Sequence, residues 1–342
     1  MTTTALDLDG SMGEGGGQVL RTSLALSILT GTPVRLRNLR ARRSRPGLMR
    51  QHLTSVHAAA RISGAQVEGA EIGSREISFA PGPVQPGDYR FDIGTAGSST
   101  LILQTILPAL LHASGPTTVT IEGGTHNVMA PPFEFLERAF LPLIRRMGAH
   151  VEAHLERPGF YPAGGGRITA RIEPVPRLSG LHVLERGEVF GLRATALISS
   201  LPRHIAEREL HHIQREAGWD SSSLEIREVE SAGPGNVLLL EVESEALTEV
   251  FAGFGERGVR AEEVADRVLR EMDRYLAAGV PVGEHLADQL LLPLALAGSG
   301  SFATLPLSLH ATTQIDLIPR FLNVGIAVEE AGKDRAVVSV GG

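Results

Sequence analysis

Three stretches of the chain carry the same succession of hydrophobic and polar patterns. In the first, an alternating segment (Ala5–Leu8) leads through a glycine-rich turn (Asp9–Gly17) into a helix that is apolar almost all round (Gln18–Leu29). Gly31 and a second alternating strand (Val34–Leu39) follow, and a further helix (Pro46–Ile62) and two short strands (Ala65–Glu68, Glu76–Phe79) close the unit. The second copy runs from strand Tyr89–Ile93 through turn Gly94–Ser99, helix Thr100–His112, Gly115 and strand Thr118–Glu122 to helix Pro132–Met147 and strands Val151–Leu155 and Gly166–Ile172. The third begins at Gly283, with helix Glu284–Leu296, strand Ser301–Pro306, helix Gln314–Leu322 and strands Gly325–Glu329 and Ala336–Val340. Each first helix carries a glutamine: Gln18, Gln104 and Gln289. The pattern predicts an α/β (α+β) fold, with three βαβαββ-type repeats in one large domain.

Residues 183–278 break this rhythm. They read as strand Leu192–Leu197, helix Arg203–Glu216, strands Ser223–Val229 and Val237–Val242, and a long helix Ala261–Leu276. The expected division is therefore 1–182 for the first two repeats, 183–278 for a smaller inserted domain of ordinary size, and 279–342 for the third repeat.

Composition narrows the chemistry more than the fold. With 42% apolar and 21% charged residues the chain reads as a soluble globular protein. No apolar run reaches the ~18 residues that cross a bilayer, and the N-terminus lacks a secretory pattern. A cytoplasmic location without membrane attachment is expected. There is no cysteine, which removes thiolate nucleophiles and sulfur-based zinc sites. Lys333 is the only lysine against 31 arginines, and Asp334 follows it, so no Walker A loop exists and lysine-based covalent chemistry is disfavoured. Covalent catalysis is left to Ser, Thr, Tyr, Asp, Glu or one of 12 histidines.

The net charge of −7 hides an asymmetry: Gly15–Val67 contains nine arginines and no acidic residue. Such a segment is either an anion receiver, suited to phosphates or RNA, or a solvated arginine-rich face. Within and beside it lie the candidate residues. Gly13-Glu14-Gly15-Gly16-Gly17-Gln18 follows a strand and opens a helix, where backbone N–H groups can face an anion, though the same glycines suit a plain tight turn. Glu14 would repel phosphate there unless a divalent cation lay between them. Arg40, Arg43, Arg50 and Gln51 bracket Pro46-Gly47, and paired guanidinium groups grip phosphate oxygens. Pro131, Pro132, Phe133 and Phe135 open another helix and can sandwich a base or simply fill the core. Ala163-Gly164-Gly165-Gly166 reads as a loop between strands. His310 ends a strand-like segment (Phe302–Leu309) ahead of Thr312 and Thr313, candidate caps for the next helix. His52, His57, His112, His204, His211 and His212 fall on amphipathic helices and are set aside.

Together these segments resemble the RNA 3′-terminal phosphate cyclases. The resemblance is carried by LDLDGSMGEGGGQVLR, RPGLMRQHLTSV, YRFDIGTAGSSTLILQTILPALL, GFYPAGGG, LPRHIAERE, GPGN, VGEHLADQLLLPLALAG and the histidine of SLHATTQ, which span nearly the whole chain in order. It implies a large domain of three repeats with an inserted thioredoxin-like domain. It also implies ATP-dependent conversion of an RNA 3′-phosphate end to a 2′,3′-cyclic phosphate, through an adenylated histidine and an RNA adenylate, with AMP and pyrophosphate released. His310 matches the family's nucleophile and Glu14 its metal-binding carboxylate, for Mg²⁺ or Mn²⁺. Gln18, Arg21, Arg40, Arg43 and Gln51 match the lining that receives the triphosphate or the RNA end. Gln104 and the run His285-Leu286-Ala287-Asp288-Gln289 match nucleotide-binding positions, and Pro131 and Phe135 the adenine-stacking pair. One departure is Pro158 immediately before Gly159, where a basic residue is expected and Arg157 stands one place earlier.

Two other readings are set against this one. A non-catalytic cyclase-like RNA-processing factor would lack the nucleophilic histidine, and an enolpyruvyl transferase would need phosphate-binding lysines. The partner expected is RNA with a 3′-phosphate end. A homodimer is one arrangement that the helix periodicity leaves open.

Overall fold

Buried and exposed positions alternate along most strands, while α1 (Gly17–Thr30) is buried on nearly every side apart from Arg21 and its C-terminal end. That contrast puts sheets outside and apolar helices inside. A computed structural model describes residues 5–341. The first unit is β1 (Leu6–Asp9), α1, β2 (Val34–Arg37), α2 (Arg50–Ser63), β3 (Gln66–Glu68) and β4 (Ile77–Ala80). The second is β5 (Gly87–Asp92), α3 (Ser99–Leu110), β6 (Thr117–Gly123), α4 (Phe133–Phe135), α5 (Leu141–Arg146), β7 (His150–Arg157) and β8 (Gly166–Glu173). The third opens with β9 (Leu181–Val183).

An excursion follows β9: β10 (Val189–Ser199), α6 (His204–Ala217), β11 (Leu224–Glu228), β12 (Gly235–Ser244), β13 (Thr248–Phe254) and α7 (Ala261–Ala278). The third unit then resumes with α8 (Glu284–Ala297), β14 (Ser299–Thr304), α9 (Leu309–Leu317), β15 (Gly325–Glu330) and β16 (Ala336–Gly341). All three repeat sheets share one strand order, β1-β2-β4-β3, β5-β6-β8-β7 and β9-β14-β16-β15. In each, the first two strands run parallel and the other pairings are antiparallel. Helix α1 packs against α2, α3 and α9, and α9 against α8, so the helices form the shared interior.

The excursion has its own sheet, β11-β10-β12-β13, with α6 and α7 packed together over it and a separate core around Trp219, Phe251 and Tyr275. Its strand order and directions are those of the thioredoxin-like topology. Among the described residues no helix is long and apolar enough to cross a membrane.

Several element boundaries differ from the sequence reading. The third repeat starts at Leu181, ahead of the excursion, where three residues give too short a pattern to read. β13 escapes the pattern because Glu249 is buried within it at 2% exposure. Helix α2 begins at Arg50 rather than Pro46, because Gly47 takes φ +82° and the N–H groups of Gly47 and Leu48 are bonded to the carbonyls of Leu39 and Ser74. The expected helix 132–147 is interrupted by a wide turn at Leu136–Phe140, just before Pro142. Proline lacks the donor a regular turn requires, and a wider turn absorbs it.

The excursion meets the second repeat where Gly235 faces Phe160: a β-carbon on Gly235 would overlap the phenyl ring. The loop carrying Phe160 is clasped by Arg157, whose Nε donates to the Gly165 carbonyl at 2.6 Å, so the arginine displaced by Pro158 serves loop closure. Gly235→Ala is expected to destabilise the protein by about 1–3 kcal/mol through overpacking, read as a lower denaturant midpoint. An unchanged midpoint would show that this contact yields without cost.

Candidate active site

Helix α9 starts four residues after the buried Leu305, and its cap fixes where His310 points. Ser308 is the N-cap, its Oγ accepting the N–H of Ala311 at 3.2 Å. His310 therefore sits in the first turn of a helix. It is not at the end of a strand, and Thr312 and Thr313 do not cap. Thr313 instead turns its hydroxyl to the Leu309 carbonyl and accepts the N–H of Glu14 at 3.0 Å, joining α9 to the glycine loop ahead of α1.

His310 opens on a cavity of about 400 Å³ between α1, α3, α8, α9, β13 and residues 128–135. Of the residues singled out in the sequence, Gln18, Arg21, Gln104, Pro131 and Phe135 line it. So do His285, Asp288 and Gln289. Leu286 and Ala287 face the core at 0% and 1% exposure, on the apolar face that recurs at Leu290 and Leu291 one turn on. The glutamines are not three equivalents. Gln104 and Gln289 both stand sixth in their helices and bond to each other across the cavity floor, whereas Gln18 stands second in α1.

Gln18 has its own task. Its Nε2 donates to Asp288 Oδ2 at 3.0 Å, and its Oε1 lies 2.9 Å from Nδ1 of His310. An amide oxygen can only accept, so Nδ1 carries the proton and Nε2 keeps the lone pair. Burial lowers the pKa of His310, helped by Arg21, His285 and Arg43, which holds the imidazole neutral. Burial pushes Asp288 up to about 7 against the pull of His285 and Arg21. Arg21 falls to about 10, also by burial and against Asp288, and stays charged at neutral pH. The hydrogen bond that His285 donates to the Glu271 carboxylate lifts its pKa to about 9. A neutral imidazole with one lone pair free thus lies at the cavity with a guanidinium beside it.

The glycine loop forms the adjoining wall. Gly13 has φ +52° and its α-carbon lies against Thr313, an approach no side chain permits. Glu14 is nearly buried, with Oε2 accepting the N–H of Gly16 at 2.7 Å and Oε1 paired with Arg43. Among the described residues no three His, Asp or Glu side chains gather as a metal cage. A small hard cation takes one or two carboxylates and fills its shell with phosphate oxygens and water, so Glu14 fits as the single protein ligand of an ion carried by a polyphosphate. Arg40 donates to the carbonyls of Arg45 and Gly47 at 2.6 and 2.9 Å and so braces its own loop. Gln51 Oε1 accepts the N–H of Ser98 at 2.7 Å, tying α2 to the start of α3. Arg40, Arg43, Gln51 and Glu14 lie outside the cavity lining.

The family model for RNA 3′-terminal phosphate cyclase matches residues 12–328. The chain belongs to the RNA 3′-terminal phosphate cyclase family. It is 53% identical to the RNA 3′-terminal phosphate cyclase of Ectopseudomonas mendocina over 97% of both chains. It is 52% identical to that of Koribacter versatilis, over 97% of this chain and 96% of the relative. Among solved structures, an enolpyruvyl transferase, NikO from Streptomyces tendae, aligns over 98% of this chain and 48% of its own at 13% identity, with a TM-score of 0.38 that supports no argument.

Two residues of this cyclase-family protein were not marked in the sequence. His52, set aside as one face of an amphipathic helix, is buried at 9% exposure beside Arg21. Its place two residues after Arg50, inside the arginine segment, was the available signal. Glu249 lies behind α8, accepting the N–H groups of Gly283 at 2.6 Å and Val250 at 3.2 Å, and so fixes the start of the helix that carries Asp288.

Burial raises Glu249 to about 7, well above the ~4.3 of an unfolded chain. Between those values the native state holds the extra proton, so this group's contribution to stability falls as pH rises. Glu249→Gln keeps an acceptor and cannot ionise. The variant's unfolding free energy relative to the parent is expected to grow between pH 5 and pH 8, followed by urea denaturation. A pH-independent difference would show that Glu249 does not titrate in this window.

Proposed function

We propose that this protein uses ATP to convert RNA 3′-terminal phosphates to 2′,3′-cyclic phosphates. In this reading Nε2 of His310 attacks the α-phosphorus of ATP, pyrophosphate leaves, and AMP is held on the imidazole as a phosphoramidate. A 3′-phosphate oxygen of RNA then displaces the histidine and takes the AMP. The neighbouring ribose 2′-hydroxyl attacks the activated phosphorus, its proton passes to solvent or a base, and AMP departs. Adenylation turns an unreactive phosphate oxygen into a good leaving group, and in-line positioning with charge neutralisation supplies the rest.

The observation that carries the proposal is the hydrogen bond from Nδ1 of His310 to Gln18, which leaves Nε2 free at the cavity. The lysine count supports it, because the commoner nucleophile of nucleotidyl transfer has no candidate here. Pro131 and Phe135 would pack against adenine, with Gln104, Gln289, His285 and Asp288 as the polar contacts. Arg21 and Gln18 would face the phosphates, and Arg40, Arg43 and Gln51 would hold the path of the RNA end. Glu14 would hold Mg²⁺ or Mn²⁺, whose charge would neutralise the phosphates.

Incubation with ATP labelled at the α-phosphate, without RNA, tests this. The expected outcome is a protein-bound label that is acid-labile, alkali-stable and missing in His310→Ala. Absence of label under varied metal and pH would favour a non-catalytic RNA-binding relative. Gln18→Ala is expected to slow adenylation roughly 100-fold at saturating ATP, since the tautomer is no longer imposed. If half-saturating ATP rises while the saturated rate holds, Gln18 only binds nucleotide.

A further inference from the structure

Gly17, first residue of the 14-residue α1, is bare on the side where two nitrogen donors meet. A β-carbon built there would stand 2.6 Å from Nη1 of Arg21 and 2.6 Å from Nε2 of His52. The ring orientation of His52 follows from its other nitrogen, since Nδ1 accepts the N–H of Met49 at 3.4 Å. Nε2 is then the protonated nitrogen, a donor. Arginine cannot accept, so the two groups cannot satisfy each other, and no acceptor bonds to Nε2 of His52 among the described residues. The N–H groups of the first turn of α1 are free donors at the same place, and Gly16 has no side chain to cover them. The side chain of His52 is buried at 9% exposure, while its Nε2 is not among the buried atoms left without a partner and so stays open to solvent at this point.

Positive groups outnumber negative ones around this point. Burial and the nearby Arg21, Arg40 and Arg43 press His52 down to about 3, so its ring is neutral and adds a hydrogen bond without adding charge. The nearby carboxylates are engaged: Glu14 by Arg43 and the Gly16 N–H, Asp9 by Ser11, and Asp288, which also acts on Arg21, by Gln18. The notch borders the cavity wall at Gln18 and Arg21.

We infer that Nε2–H of His52, with Arg21 and the open start of α1 at Gly17, binds an oxygen of a phosphate group. This rests on the reading above that the neighbouring cavity handles phosphates, and it adds a binding residue to it. Two sources share that chemistry, the outer phosphates of ATP and the 3′-phosphate of RNA.

Calorimetric titration of the full-length protein with inorganic pyrophosphate, and with a dinucleotide ending in a 3′-phosphate, tests the inference without relying on turnover. His52→Gln keeps an acceptor for the Met49 N–H and a donor for the notch. His52→Glu keeps only the acceptor and brings a negative charge. The expected result is a loss of about tenfold or more in affinity for His52→Glu, with His52→Gln close to the parent. Loss confined to pyrophosphate assigns the notch to ATP, and loss confined to the dinucleotide assigns it to the RNA end. Equal binding by His52→Glu and the parent overturns the inference, because a helix cap alone tolerates glutamate. Failure of the parent to bind either probe at low salt overturns it as well. If pyrophosphate binds as expected but no label from ATP reaches the protein, the adenylation reading fails while the notch stands.

Discussion

A neutral imidazole has one nitrogen with a proton and one with a free lone pair, so whatever bonds to one nitrogen decides what the other can offer. In this protein that partner is one amide, Gln18, held at both ends by Asp288 and His310. The three residues come from α1, α8 and α9, helices of the first and third repeats. Correct tautomer, correct ring orientation and correct packing between the first and last repeats are therefore one condition. The bond from Thr313 to the glycine loop and the close approach of Gly13 to it hold the same two elements together a few residues away.

The repeats explain the scaffold and their differences explain the site. Gln104 and Gln289 occupy matching places and pair with each other, while the matching place in α1 is Thr22, which also borders the cavity. Gln18 sits a full turn earlier, where it can reach His310. The third repeat differs most, because its first strand and first helix are separated by the excursion, whose β13 supplies one wall of the cavity. Placing Glu249 on that strand, bonded to the start of α8, links the position of Asp288 to the inserted sheet.

Repetition made the fold legible, since each unit announced the next by the same order of alternating strand, glycine turn and apolar helix. What escaped was set by contacts between segments distant in sequence. β9 is three residues long and is a strand only because β14 lies beside it. The late start of α2 depends on backbone bonds to residues 39 and 74. The candidate site was legible in its residue types, because missing cysteine and a single lysine left few nucleophiles. Its division of labour was not. Arg40 and Gln51 spend their hydrogen bonds on the protein itself, Leu286 and Ala287 turn inward with the helical period, and His52 reads in sequence as an ordinary helix face.

Electrostatics ties these pieces together. A segment with nine arginines and no acid of its own would repel itself in a folded core unless each guanidinium had an answer. Arg35 and Arg37 answer at the surface, with Glu76 and Asp7, and Arg40 bonds to carbonyls. Arg43 takes Glu14, the one carboxylate inside the glycine loop. Arg21 is left with only Asp288 nearby, and burial presses that carboxyl toward its neutral form at neutral pH. Arg21 thus keeps a positive charge that its neighbours answer weakly, at the cavity wall between His310 and the start of α1, where an incoming anion gains from it. A cation arriving with phosphates would compete with Arg43 for Glu14, and each guanidinium it displaced would meet the negative charge that arrived with it.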